Sequence, residues 1–388
     1  MLTASRLEGV SARSFHGSGG GEHVLIIEPD PGLAFEDQLA VIERRYAVAR
    51  RRLGLAPDSA VFRRLFVSDL QNQMAAIERC EQVRDPVEGP VALSIVEQAP
   101  LNGAKAMLLA YHIQVPEGLM KRRLSRRHVV VEKNGARHLW STRLCVGDGA
   151  AELTAEEQTR LLFSHLTAAL GSQSGRLADH CVRTWIYVKD VDIFYGGMGR
   201  GRSAAFAQAG LSETTHYIAS TGIEGACAHA CDLVAMDAYS APDLAAGQLS
   251  YLSDPGRMCP TKDYGVTFER GARVAYADRS HLFISGTASI DAHGQVVHPG
   301  DVLAQLDRAV GNVQALLATA GAGLGDLTYL IVYLRDPADY PRTRAWLDAR
   351  FGDLPMVVVR GAICRPAWLI EIEGVAVLAN NDPALPRF

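Results

Sequence analysis

Two glutamates stand in a run that is otherwise apolar. Along Leu369-Ile-Glu-Ile-Glu-Gly-Val-Ala-Val-Leu378 an extended chain alternates its side chains between faces, so Glu371 and Glu373 share one. Two readings fit that placement. On a solvated face the pair costs nothing. On a pocket-facing strand, desolvation raises a carboxyl's pKa and leaves a general acid still protonated near neutral pH.

Arginines and small polar residues upstream offer partners for such an acid. Phe194-Tyr-Gly-Gly-Met-Gly-Arg-Gly-Arg-Ser203 looks superficially like a phosphate-cradling loop, but it lacks the Gly-Lys-Ser/Thr ending and the strand-to-helix setting of a dinucleotide fingerprint. The expectation is an insertion whose glycines follow a tight path while Arg200 or Arg202 points toward a site. A guanidinium fork matches a carboxylate bidentately. Thr215-His-Tyr-Ile-Ala-Ser-Thr-Gly-Ile223 then supplies Thr221 and Gly222, with Glu224 beside them, on an expected pocket-facing strand. His216 reads as a hydrogen-bonded structural histidine rather than a base.

The elements that must hold these residues are clearest between His281 and Leu378. His281–Ile290 is β-branched and apolar around one glycine, Gly286, which marks a strand that a ligand can approach closely. Asp301 is placed as an N-cap. Apolar residues at Val302, Leu306, Ala309, Val310, Val313, Leu316 and Leu317 trace one helical face that stops at Gly321 and Gly323. A strand at Leu327–Leu334, a helix over Arg342–Phe351, and strands at Met356–Val359 and Trp368–Leu378 complete a β-α-β-α-β-β order.

The same grammar occurs three times. A helix and then a strand ending in aspartate recur at Ala34–Leu53 with Val61–Asp69 and at Ala155–Leu170 with Val182–Asp190. In the third copy the strand is Leu330–Asp336. One 34-residue interval separates Phe35 from Asp69, Glu156 from Asp190, and Val302 from Asp336. Strand pairs follow in each copy: Pro90–Glu97 with Ala104–Ile113, Ala219–Glu224 with Leu233–Tyr239, and Met356–Val359 with Trp368–Leu378. The expected organisation is three tandem units over 22–120, 121–245 and 246–388.

Composition excludes several roles. With 388 residues, 48% hydrophobic and 21% charged, the chain can bury a large core. A net charge of −4 with interspersed signs offers no basic stripe, so nucleic-acid binding is not expected. The longest apolar runs are strand-length, so no membrane partner is expected either. The N-terminus lacks the apolar core of a signal peptide, and its Gly17–Gly21 patch is expected to be mobile. Seven scattered cysteines without CxxC or Cys/His metal spacing read as reduced thiols of a cytoplasmic protein that needs neither metal nor cofactor.

The Ile284-Ser-Gly-Thr opening, the Tyr333-Leu-Arg-Asp336 strand end and the Glu371-Ile-Glu-Gly374 close together resemble the RidA (YjgF) superfamily over roughly the last hundred residues. The resemblance implies an α+β, chorismate-mutase-like fold. Its single-domain members form trimers with a site at each subunit boundary, so three copies in one chain imply an intramolecular pseudo-trimer, monomeric or weakly self-associating. The superfamily's generic reaction is hydrolysis of reactive imines and enamines. Here the carboxylate-binding arginine expected after Pro355 is replaced by Met356, and Phe268 stands where a tyrosine hydroxyl is expected. Of that set only Glu371 remains.

Over the last two copies the chain also resembles the chorismatases, which cleave the enolpyruvyl ether of chorismate. The resemblance rests on Trp185-Ile-Tyr-Val, the Gly-Arg segment at Arg202, Ala219-Ser-Thr-Gly222 and Ile363-Cys-Arg-Pro-Ala-Trp-Leu-Ile-Glu-Ile-Glu-Gly374. Gly286 and Cys364 resemble the type that forms 3-hydroxybenzoate. The loop Tyr264-Gly-Val-Thr-Phe-Glu-Arg270 is shorter than the family's substrate-contacting Tyr-Gly-Pro loop. The resemblance implies Glu371 as acid, with Cys364 and Gly286 shaping the reacting space. Arg365 and Arg202 would clamp a small carboxylate, with Thr287, Tyr264, Thr221, Gly222 and Glu224 around it. Cys364 has no evident base and is read as a pocket wall rather than a nucleophile. A Rid-type imine hydrolase or proton-transfer enzyme, and a non-catalytic metabolite-binding module, remain as other readings.

Overall fold

The computed structural model describes residues 2–80 and 89–388, the side chain of Tyr264 excepted. Three sheets of six strands follow one another along the chain. The first uses β1 (Leu2–Leu7), β2 (Val10–Gly17), β3 (Gly20–Ile27), β4 (Ala60–Val67), β5 (Ala92–Glu97) and β6 (Ala106–Gln114), with helices α1 (Phe35–Arg52) and α2 (Leu70–Arg79). The second uses β7 (Met120–Ser125), β8 (His128–Lys133), β9 (Ala136–Leu144), β10 (Cys181–Val188), β11 (Ala219–Glu224) and β12 (Val234–Ser240), with α3 (Ala155–Gly171), the one-turn α4 (Leu177–His180) and α5 (Val191–Gln208). The third uses β13 (Leu249–Tyr251), β14 (Gly271–Ala275), β15 (Arg279–Ala288), β16 (Leu327–Leu334), β17 (Met356–Arg360) and β18 (Ile370–Ala379), with α6 (Val302–Thr319) and α7 (Tyr340–Phe351).

Every sheet has the same order: first, second, third, sixth, fourth and fifth strand of its unit. In each, the fourth and fifth strands pair in parallel and the sixth runs antiparallel between third and fourth. The fold is therefore three RidA-like α+β units in tandem. Among the described residues no helix is long and apolar enough to cross a membrane.

Strand periodicity decides what faces what. In β4, Leu65 and Val67 pack under Leu39, Ile42 and Tyr46 of α1; in β10, Ile186 and Val188 pack under Leu162, Phe163 and Leu166 of α3. The alternate residues, Phe62 and Phe66 of β4 and Trp185 and Tyr187 of β10, turn toward the third unit and join one core with it. The helices are set by their ends. Asp301 Oδ1 accepts from the amides of Leu303 and Ala304 at 3.1 Å, and Thr154 with Glu157 forms a capping box on α3.

Charged residues run through this shared interior. Arg64 of the first unit lies 3.1 Å from Asp237 of the second and 3.9 Å from Glu373 of the third, and Arg183 donates to Glu373 at 2.7 Å. Trp185 Nε1 and Tyr333 Oη also donate to Glu373, each at 3.0 Å. A buried carboxylate is tolerated only with such saturation.

Two expectations are corrected. Gly17–Gly21 is the tight hairpin between β2 and β3, and the first sheet begins at Leu2, before residue 22. Phe194–Ser203 is neither a loop nor an insertion. It lies inside α5, the second unit's counterpart of α2 and α7. Its glycines let α5 approach α3, since a Cβ at Gly201 would lie 2.7 Å from Thr159 Cβ. Tight helix packing outweighs the cost of glycine in a helix interior.

Candidate active site

The second and third units meet along β11 and β15. Gly286 N donates to Thr221 Oγ1 at 2.9 Å, and Ser220 N donates to Ser285 Oγ at 2.9 Å. The register of β15 on β18 shifts between Ile284 and Thr287, a bulge that opens the sheet at Gly286. Glu371 pairs across with Ala288 on one side and Tyr333 on the other. A Cβ at Gly286 would overlap the Glu371 carboxylate and come within 3.1 Å of Thr221 Cγ2. Only glycine leaves that carboxylate its place.

Above this floor lies an open cleft of ≈ 720 Å³, mouth included. Glu371, Gly286, Cys364, Arg365, Arg202, Thr221 and Gly222 all line it, joined by Tyr195, Ser220, Val266, Phe268, Arg270, Ala288, Ile290 and Trp368. The arginines are fixed from behind. Arg202 Nε donates to Thr267 Oγ1 at 3.2 Å, Arg270 Nη2 to Cys259 O at 2.8 Å, and Arg365 Nη1 to Gly294 O at 2.8 Å. Phe268 lies under two of these guanidinium groups, 5.9 Å from Arg202 and 5.5 Å from Arg270; Trp368 lies 4.7 Å under the third.

Burial drives the Glu371 carboxyl up to about 8, and the negative charge of Glu373 adds to the rise against the opposing pull of Arg270 and Arg183. Near neutrality Glu371 thus carries a proton in a cleft lined by three arginines. Burial also pushes the Cys364 thiol up to about 12, so it is a protonated wall rather than a thiolate. The Tyr195 hydroxyl is raised by burial and by its hydrogen bond with Cys364.

Not every expected residue joins the cleft. Thr287 turns its hydroxyl to Ser285 O at 2.8 Å and is fully buried elsewhere. Glu224 accepts from Ala362 N at 2.9 Å and stands 3.4 Å from Arg360, holding the connection between β17 and β18. The side chain of Tyr264 lies outside the described residues. Arg200 pairs with Glu156 on the surface. His216 accepts its structural reading, with Nε2 2.9 Å from Ala178 O. Arg270 and Tyr195 were missed. Arg270 ends the loop that begins at Tyr264, and Tyr195 shares a face with Met198 and Arg202 at three- and seven-residue spacing once the segment is read as helix.

The family model described as Endoribonuclease L-PSP matches residues 272–378. The 3-aminoacrylate deaminase RutC of Acinetobacter baylyi is 33% identical over 97 residues, 24% of this chain and 77% of that protein. The chain belongs to the RidA/YjgF superfamily. Within it the likeness is to the chorismatase-like branch: a 3-hydroxybenzoate synthase of Streptomyces hygroscopicus is 30% identical over 223 residues, 50% of this chain. That match spans 63% of the synthase, less than two thirds of its length. A chorismatase crystal structure superposes with a TM-score of 0.61 at 20% identity, covering 83% of this chain and 94% of that one, and so shares its fold.

Proposed function

We propose that this chain cleaves the enolpyruvyl ether of chorismate, or of a closely related cyclic carboxylate, by general-acid catalysis. The observation that carries the reading is a carboxyl held up to about 8 in a cleft that also presents Arg202, Arg270 and Arg365. Chorismate brings two carboxylates, which need at least two cationic clamps, and an enol ether, which needs a proton on carbon.

Glu371 delivers its proton to the terminal methylene carbon of the enolpyruvyl group, leaving an oxocarbenium carbon. A nucleophile adds to that carbon, the ether C–O bond breaks, and pyruvate leaves. With the ring's own neighbouring hydroxyl as nucleophile, its oxygen bonds to that carbon while the original ether oxygen stays on the ring as a hydroxyl. The ring's C–O bond to the attacking oxygen then breaks and pyruvate leaves with that oxygen. Loss of the proton from the adjacent ring carbon aromatises the ring to 3-hydroxybenzoate, with no water consumed. With water as nucleophile a non-aromatic dihydrodiol results. Gly286 and Cys364 are the residues that resemble the first outcome, and the likeness to a 3-hydroxybenzoate synthase favours it.

The match to RutC favours a second reading, a Rid-type imine or enamine hydrolase using the same acid. Incubation with chorismate, with pyruvate measured by coupled lactate dehydrogenase and the ring product by chromatography, separates the two. Pyruvate with 3-hydroxybenzoate is expected. Absence of pyruvate, with turnover of 2-aminoacrylate-type imines, would favour the hydrolase.

A further inference from the structure

The second unit carries a cluster away from the cleft. Cys145 directly follows β9, and Cys227 and Asp232 lie in the connection between β11 and β12. Their ligand atoms all fall within 4.8 Å of one another, and Asp232 is fully buried by side chain. His229, from the same connection, holds Nδ1 3.5 Å from Asp232 Oδ2. That nitrogen is buried and makes no hydrogen bond among the described residues. Two sulfurs and one carboxylate converge from two strand ends, with the imidazole against the carboxylate.

We propose that Cys145, Cys227 and Asp232, with His229 in the fourth position, form a structural zinc site. Zinc bonds of about 2.0–2.3 Å place tetrahedral donors about 3.3–3.8 Å apart, and Cys227 Sγ already lies 3.6 Å from Asp232 Oδ2. Thiolate and imidazole donors select zinc over the hard magnesium and calcium ions. The carboxylate is aimed from behind, because Asp232 Oδ1 accepts from Val146 N at 2.8 Å and Gly147 N at 3.1 Å. Arg127 Nη2 donates to Cys145 Sγ at 3.3 Å, an outer contact suited to a metal-bound thiolate. Two thiolates and a carboxylate leave a zinc ion with one excess negative charge, which that guanidinium offsets. Binding releases the two thiol protons to solvent.

The position gives the ion a task. Ala226, beside Cys227, pairs with Glu97 of the first unit, with Glu97 N donating to Ala226 O at 2.9 Å. A zinc ion here ties the β11–β12 connection to the end of β9 at the boundary between the first and second units.

The test titrates the full-length reduced chain with Zn²⁺ and with Co²⁺. One metal per chain is expected, with the thiolate-to-cobalt charge-transfer band and intense visible absorption of a tetrahedral site, and a higher Tm on adding Zn²⁺. Cys227→Ser and Cys145→Ser should each lose the charge-transfer intensity and the Tm response, and Arg127→Gln should weaken binding about 10–100-fold. Cys231→Ser, an exposed neighbour, should change neither. Circular dichroism establishes that each variant is folded, and Cys227→Ser, at a half-buried position, is the variant on which the test rests. Failure to bind stoichiometrically, binding indifferent to Cys227→Ser, or a Cys145–Cys227 disulfide found by alkylation of the unreduced protein would overturn the assignment.

Discussion

In the third unit, β18 sets Glu371 opposite Tyr333 and Glu373 opposite Ile331. At the same places in the second unit, β12 sets Ala235 opposite Tyr187 and Asp237 opposite Trp185. In the first, β6 sets Met107 opposite Phe66 and Leu109 opposite Arg64. The outer position holds an acid once in three, and the inner position holds one twice. Their surroundings explain the difference. Thr221 hydrogen-bonds Glu373, and Ser94, at the equivalent strand position, hydrogen-bonds Asp237 at 2.5 Å; the third counterpart is Val357. Inner carboxylates are saturated by arginines and hydroxyls and act as structural pins between units. The outer one faces a cleft, is raised by burial, and is available for chemistry.

The sharpest way to break this comparison is Glu371→Gln. Turnover of chorismate should fall roughly 10²–10⁴-fold, as for a lost general acid, with the fold intact. Unchanged turnover would remove Glu371 from the mechanism.

Asp237→Asn and Glu373→Gln should do the reverse. Each strips a charge from a buried network and should cost about 3–5 kcal/mol in denaturant melts, because Arg64 or Arg183 loses its nearest counter-charge. The pH dependence separates the two positions again. Glu371 is raised from 4.5 to about 8, so between those values the folded chain keeps a proton that the unfolded chain has lost. Stability conferred relative to Glu371→Gln is therefore greatest below about 4.5, falls as pH rises toward about 8, and is flat beyond. Thermal melts of both proteins across that window should diverge in this direction.

The clamps come next. Arg202→Lys, Arg270→Lys and Arg365→Lys keep charge and lose the fork, and each should weaken carboxylate binding by about 1–3 kcal/mol by calorimetry. Equivalent changes at surface Arg200 should not. Last is Gly286→Ala, whose added carbon displaces the Glu371 carboxylate and should therefore lower turnover as well. It should shift the product toward the dihydrodiol, read as a changed ratio on chromatography.

The repeat and its register were legible because apolar periodicity and the 34-residue interval are local signals, and every helix and strand they marked is present. Glu371, Gly286, Cys364, Arg365 and Arg202 could be named for the same reason: they sit on or beside strongly patterned elements. What could not be read depends on contacts across the fold. The glycines of α5 argue against a helix until α3 is known to press on them. Thr287 lies one residue past the bulge, which turns its hydroxyl away from the cleft. Cys145 and Cys227 have no motif spacing, since they come from the ends of different strands.

The central claim is that one of the three unit boundaries works as a site. Calorimetric titration of chorismate into the Glu371→Gln chain, which should bind without turning over, measures it directly. One equivalent per chain, weakened by adding Arg202→Lys, is the predicted result. Two or three equivalents, or binding indifferent to Arg202, would contradict it.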